Sequence, residues 1–474
     1  MATNNTRALI TLITVFFFWG FVAASNTILI GIFKEKFDLS QAQSQLVEVA
    51  FYCAYFVGSL IYFLWSVLFG DPLNKIGYKK GLVLGLLISA AGSFGFIPAA
   101  GVGSFSLMLA SLFTVGLGFA LQQIVANPYV MALGAPEKGA HRVSLAGGIN
   151  SFGTTIAPLL VGFAIYGTID EETKKLIAEN LQISSVRIPY TILGIAFLGV
   201  AALIGFSKLP TLQKKEQSGF SANVFKYPQL VMGMLAIFAY VGAEVTVQSN
   251  LQAYIALPEV MGLPKEQSGY FISLYWGSLM IGRWTQSVSV FNLVGLRKKV
   301  VTFFVPFVAF GVILIVNYVL KSPINDLLLY TPAVGILSGM YLLGNEKPGR
   351  TLLIFALCAV TSIALGMIST GPLSVYFFVS AGLFCSIMWP CIFSLSLAGL
   401  GQYTNQGSSL LVMMILGGAV ISYSQGYLAD MFGLRTSYIL PLLCFVYLVV
   451  YALVVPARLR MQGIDYDAGI EKGK

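Results

Sequence analysis

Charge is what this chain of 474 residues has least of: Asp, Glu, Lys and Arg fill 10% of its positions, where an ordinary soluble domain has about 25%. A soluble globular protein is excluded. Disorder is excluded as well, because it combines low hydrophobicity with high charge, and here AVILMFWYC residues make up 57% of the chain and mean hydropathy is +0.82. Histidine occurs once, as His141, which removes most zinc sites and hydrolytic triads. The five cysteines, Cys53, Cys358, Cys385, Cys391 and Cys444, all sit in apolar runs without a CxxC spacing. They read as small core residues, neither disulfides nor metal ligands. HExxH and GxxxxGK[ST] elements are missing too, so a membrane metalloenzyme and an ATP-driven pump both lack their parts. No metal and no cofactor is expected.

What the chain does have is apolar length. Crossing the hydrocarbon takes about 20 apolar residues per helix. That ruler predicts spans over 8–33, 44–69, 80–100, 104–134, 141–166 and 188–207. After a lysine-rich stretch it predicts others over 229–257, 269–291, 300–320, 327–344, 351–369, 373–398, 407–429 and 436–456, about fourteen in all. The expected class is an all-α polytopic membrane protein. Arg7 and the small residues Ala23-Ala24-Ser25 give the first run the look of a secretory signal, but it stays apolar through Ile28 to Phe33 and reads as a retained helix. With the N-terminus in the cytoplasm, nineteen Lys and Arg fall in inner loops and tails and eight in outer loops. That satisfies the positive-inside rule with both termini inside. The net charge of +9 is therefore a topology signal and calls for no nucleic acid. The expected partner is the lipid bilayer of the cell's inner (plasma) membrane, and the chain is expected to be monomeric.

The loop after the second span reads Gly70-Asp71-Pro72-Leu73-Asn74-Lys75-Ile76-Gly77-Tyr78-Lys79-Lys80. It is similar to the G-x-x-x-D-[RK]-x-G-[RY]-[KR] signature of the major facilitator superfamily, with Asn74 where the aspartate stands. Other stretches resemble the fucose/galactose/glucose:cation symporter family within it, over nearly the whole chain. They are Phe18-Trp19 with Asn26, Ala126-Asn127-Pro128-Tyr129, Asn150-Ser151-Phe152-Gly153, Tyr240-Val241-Gly242-Ala243, Gly282-Arg283-Trp284-Thr285, Met388-Trp389-Pro390 and Gly417-Gly418.

That resemblance implies two six-helix bundles related by pseudo-symmetry about the membrane normal, with a sugar held at the midplane. The bundles fall at residues 1–207 and 229–460, with a cytoplasmic central loop at 208–228 and a cytoplasmic tail at 461–474. Residues about 299–344 lie outside the family pattern and are expected to form an inserted helical hairpin. The proton-coupled fucose permeases of the family carry an aspartate just after the position of Asn26 and a glutamate five residues before the proline. Here Thr27 and Gln123 stand in those places, so that proton route is missing. The implied function is secondary active import of a hexose-type sugar (glucose, galactose, fucose or an N-acetylhexosamine) in symport with H⁺ or Na⁺. The alternatives are an uncoupled sugar facilitator and a drug exporter, whose cavity would be greasier.

An ionised side chain at the bilayer centre costs about 2.5–3.5 kcal/mol on insertion scales, so each one needs a reason. Glu244 lies 15 residues into its span, roughly 22 Å along a helix. Gln248 and Gln252 follow it at i+4 steps on one helix face. The stripe is expected to bind sugar, with Glu244 as the cation-coupling group and Glu48, near the outer end of the second span, as the second candidate. Gln123 and Asn127 form an i, i+4 pair just before Pro128, which frees a backbone carbonyl four residues back. They are expected to bind sugar, as are Asn26 and Asn150, each near mid-helix. Gln122 is open equally to sugar contact and to interhelical hydrogen bonding. Trp389 and Trp276 are candidate platforms for the apolar face of a sugar ring. Asn74, Lys75 and Arg283 are expected to gate, whereas His141 and Arg142 border a loop and are given no role.

Overall fold

The computed structural model describes residues 6–36, 46–166, 187–211, 223–263, 268–291 and 293–464, and among these every regular element is a helix. Lipid offers the backbone no hydrogen-bond partners, so apolar runs form the one open-ended structure that satisfies its own N–H and C=O groups. The first six long helices are α1 (Thr6–Lys36), α2 (Leu46–Phe69), α3 (Tyr78–Val102), α4 (Phe105–Ala132), α5 (Gly139–Tyr166) and α6 (Arg187–Phe206). Eight follow: α7 (Pro228–Ile255), α8 (Gly269–Ser287), α9 (Gly295–Val319), α10 (Ile324–Gly344), α11 (Pro348–Ile368), α12 (Pro372–Leu397), α13 (Gly401–Phe432) and α14 (Leu434–Met461). They lie where the apolar runs predict them. Eleven of the described helices are long and apolar enough to cross a membrane on those grounds alone, which makes about fourteen the looser figure.

Among the first six, α3 packs on α4 and α6, α1 on α5, and α2 on α4. Among the later helices, α7 packs on α12, α13 and α14, and α11 on α12 and α14. The two groups meet where α5 lies against α8 and α12, and where α13 lies against α2 and α4. The segment expected as an insertion is the α9–α10 hairpin, packed against α8 and, through α10, against α11. Its apolar stretches are 39% buried, against 94% for α12, so the hairpin is rim and α12 is axis. A Lys298–Glu346 ion pair joins the start of α9 to the residues just past α10.

Prolines mark two of the irregular points. Pro390 has no N–H to return to Ser386, and α12 breaks there, one piece ending at Cys385 and the next beginning at Met388. Pro128 sits inside α4 without ending it, and it leaves the Ile124 carbonyl without its usual helical donor. α7 is interrupted at Asn250, between pieces Pro228–Ser249 and Leu251–Ile255, with no proline at the break.

Candidate functional site

The carbonyl that Pro390 frees is taken by Arg283, whose Nε donates to Ser386 O at 3.2 Å. Approach this close needs the neighbouring glycine, since a Cβ on Gly282 would lie 1.7 Å from Ser386 Oγ. From that anchor the guanidinium reaches two other helices. Nη1 donates to Ser151 Oγ at 2.7 Å and to Gly147 O at 3.4 Å on α5. Nη2 stands 3.6 Å from Glu244 Oε1 on α7. The Glu244 carboxylate also accepts from Tyr240 Oη at 2.6 Å, and its backbone carbonyl accepts from Tyr275 Oη at 2.6 Å. Next to Arg283, Trp284 Nε1 donates to Gly148 O at 3.2 Å, where a Cβ would come within 2.7 Å of the indole.

Tyr240 extends the cluster to Trp389, their ring centroids 6.2 Å apart, and Trp389 stacks on Phe393 at 5.8 Å. In a helix whose surroundings bury nearly every residue, Trp389 keeps intermediate exposure. Part of the Trp389 side chain is thus left accessible, one ring away from the Glu244–Arg283 pair by way of Tyr240. An aromatic face stacks on C–H groups while the charged pair and nearby amides meet hydroxyls. Gln248, one turn beyond Glu244, is half-buried.

The other sequence candidates separate. Gln123 is half-buried and donates to Tyr55 Oη at 3.0 Å. Its neighbour Gln122 is fully buried and engaged at both ends, accepting from Trp19 Nε1 and donating to Ser89 Oγ, each at 2.8 Å. Both of these partners lie on other helices, α1 and α3. Asn127 is buried with its Nδ2 lacking a protein partner. Asn150, half-buried, donates to Phe16 O at 3.0 Å and so ties α5 to α1. Gln252 lies past the Asn250 break, in the separate piece Leu251–Ile255. The side chains of Asn26, Thr27 and Glu48 lie outside the described residues.

A second junction sits at the end of the molecule that carries the 70–80 loop. Asp71 is buried and accepts from Tyr62 Oη (2.6 Å), Leu73 N (2.9 Å) and, from α13, Asn405 Nδ2 (2.6 Å). Tyr78 Oη donates back to Asn405 Oδ1. The carbonyl freed by Pro128 is also taken here, because Ser408 Oγ donates to Ile124 O at 3.0 Å, and Gln406 Nε2 donates to Ser66 Oγ at 3.2 Å. Asn74 stands in the one-turn helix Pro72–Ile76 with a buried, unpartnered Nδ2, while Lys75 is exposed and donates to Phe69 O. The carboxylate at this junction is therefore Asp71, to which the sequence pattern assigns nothing, as it assigns nothing to Asn405, Ser151 or Tyr240.

His141 and Arg142, given no role from sequence, are buried. Arg142 donates to Val130 O, Met131 O and Ala135 O and so ties down carbonyls of the last turn of α4 and the loop after it. Near His141, burial alone would push the Glu346 carboxyl up. The Lys298 hydrogen bond and charge outweigh that and hold it below the usual carboxylate range.

Two groups of helices meeting along junctions on either side of a polar, aromatic-edged mid-helix site define a class: a polytopic helical carrier, built to move a solute and not to transform one. The chain belongs to the Major Facilitator Superfamily, whose family model matches residues 10–345, and it is a transporter, not an enzyme. It is 33% identical over 454 residues to the glucose/galactose transporter of Brucella abortus, which covers 95% of this chain and 94% of that one. Among solved structures, the Escherichia coli fucose:proton symporter FucP superposes with a TM-score of 0.73 at 26% identity, over 96% of this chain and 99% of that one. A structure of FucP in the outward conformation gives 0.71, at 26% identity, over 94% and 98%.

Proposed function

We propose that the protein imports a hexose-type sugar in symport with H⁺ by alternating access, the sugar lying against Trp389 between Glu244 and the amides of Gln248 and Gln123. The observation that carries this is the Glu244–Arg283 pair, joined through Tyr240 to the half-buried Trp389. A symported ion must favour one conformational state over another, and a mid-helix carboxylate is the group whose charge a proton changes. The relatives named for glucose and galactose and for fucose with a proton support a sugar and favour H⁺ over Na⁺. In this reading the helices divide into bundles at 1–207 and 229–460, joined by a loop at 208–228 and followed by a tail at 461–474. The lysine-rich end is cytoplasmic, with both termini on that side of the inner membrane, and the carrier works as a monomer. The Asp71 junction then seals the cytoplasmic end, so the site opens outward. Gln122 drops out of the sugar contacts.

The test is uptake into proteoliposomes of a panel of hexoses and N-acetylhexosamines under imposed H⁺ and Na⁺ gradients. The expected result is uphill uptake of at least one sugar driven by H⁺, with Glu244→Gln retaining exchange and losing accumulation. Full accumulation by Glu244→Gln sinks the coupling assignment. Equal flux with and without any ion gradient leaves a facilitator.

A further inference from the structure

We propose that Arg283 transmits the charge state of Glu244 to the contact between α5 and α8, so that the group receiving the ion and a contact holding the two groups of helices together are joined through one side chain. The inference rests on Glu244 as the coupling carboxylate. What carries it is the division of the guanidinium among three helices. Nε stays on the proline-freed Ser386 carbonyl of α12, Nη1 spans to Ser151 and Gly147 of α5, and Nη2 faces Glu244 of α7.

Among the described residues Glu244 is the carboxylate within ion-pair reach of Arg283, and the side chains are 11% exposed for Glu244 and 13% for Arg283. The groups that act on Glu244 electrostatically are Arg283 and Tyr275 from α8, Cys385 from α12 and Tyr240 from its own helix. From α13, which also packs on α7, come Gly417, Gly418 and Ile421, close to Phe238, Val241 and Gly242. Arginine keeps its charge at any working pH. When Glu244 takes a proton, the guanidinium loses its counter-ion, and a desolvated unpaired cation is costly. Relief lies in turning toward water about the Ser386 anchor, which withdraws Nη1 from Ser151 and Gly147. The bonds then left across α5 and α8, Trp284 to Gly148 O and Ser144 Oγ to Arg283 O, are neutral and weaker than the charge-assisted ones they accompany.

The experiment replaces the five native cysteines with serine and places spin labels at the exposed Lys80→Cys and Lys299→Cys. The label-to-label distance is then followed as buffer passes from mildly alkaline to mildly acidic. The parent protein is expected to lengthen on acidification, Glu244→Gln to be long throughout, and Arg283→Gln to hold one distance throughout. Ser151→Ala keeps the ion pair but deletes the shortest acceptor on α5. It should move the midpoint of lengthening to higher pH, by the equivalent of a roughly twofold to tenfold shift in the opening equilibrium. Lengthening of Arg283→Gln along the parent curve overturns the proposal, as does a Ser151→Ala curve that superposes on the parent. A parent distance that ignores pH overturns it even where Glu244→Gln loses accumulation. Accumulation that survives in Glu244→Gln removes the coupling assignment itself.

Discussion

The two junctions between the helix groups are built with similar economy but with charges of opposite sign. At the α5–α8 junction the later helices supply the cation and the first six supply neutral acceptors, Gly147 O, Gly148 O and Ser151 Oγ. At the 70–80 end the first six supply the anion, Asp71, and the later helices supply a neutral amide, Asn405 Nδ2. Arg283 has a counter-ion in Glu244, whereas Asp71 is held by three neutral donors. Under the proposed switch, a proton at Glu244 alters the first junction directly. The second has no counter-ion to lose, since its anion is held by neutral donors alone.

The largest expected effect is steric. Gly282→Val, whose Cβ would start 1.7 Å from Ser386 Oγ, should leave little folded protein in a size-exclusion assay, overpacking of this kind costing about 1–3 kcal/mol or more. Gly147→Ala, whose Cβ meets Arg283 Cδ at 3.3 Å, should fold. Next comes Asp71→Ala, which strands the donors of Tyr62, Leu73 and Asn405 at about 1–3 kcal/mol for each one left without a partner. It should lower Tm and expose a cysteine placed at Ser408 to labelling, at alkaline and acidic pH alike. A pH-dependent response there would make the two junctions one device.

Smaller effects separate the adjacent glutamines. Gln122→Ala should lower Tm by breaking the Trp19–Gln122–Ser89 chain, with the sugar KM of the surviving protein unchanged. Gln123→Ala should weaken sugar binding about threefold to tenfold, with little change in Tm. The smallest effect concerns Glu346. Its pKa is depressed in the folded state, so its contribution is present above the unfolded carboxylate pKa and is lost as pH falls through the lowered folded value. The pair is partly exposed, so the change is at most about 1 kcal/mol. Lys298→Met should flatten that acid limb of the Tm profile.

Much of this molecule is legible before folding. Apolar length alone places the helices, because lipid forces helicity on any apolar run, and Pro128 and Pro390 announce their freed carbonyls. What is not legible is register between helices. Glu244 and Arg283 each stand out as ionisable residues in apolar runs, yet nothing local says that positions on α7 and α8 lie at one depth with Ser151. Gln122 and Gln123 look alike in sequence, but successive helix positions point about 100° apart, so one meets Ser89 and the other Tyr55. Asp71 is hidden by its own surroundings. A pattern expecting its carboxylate at Asn74 draws the eye three residues too far, and only the fold brings Asn405 to it.

The carbonyls that receive Arg283, Trp284 and Ser408 have a consequence for how this carrier tolerates mutation. Ser386, Gly147, Gly148 and Ile124 accept through the main chain, and no codon change deletes a main-chain oxygen. Damage at these points can arise in two ways: a lost donor side chain, or a new side chain that holds the helices apart. Random mutagenesis of the junctions should therefore give a lopsided map, with loss-of-function changes at 283, 284 and 408 spread over many replacements and those at 147, 148 and 386 graded by size alone.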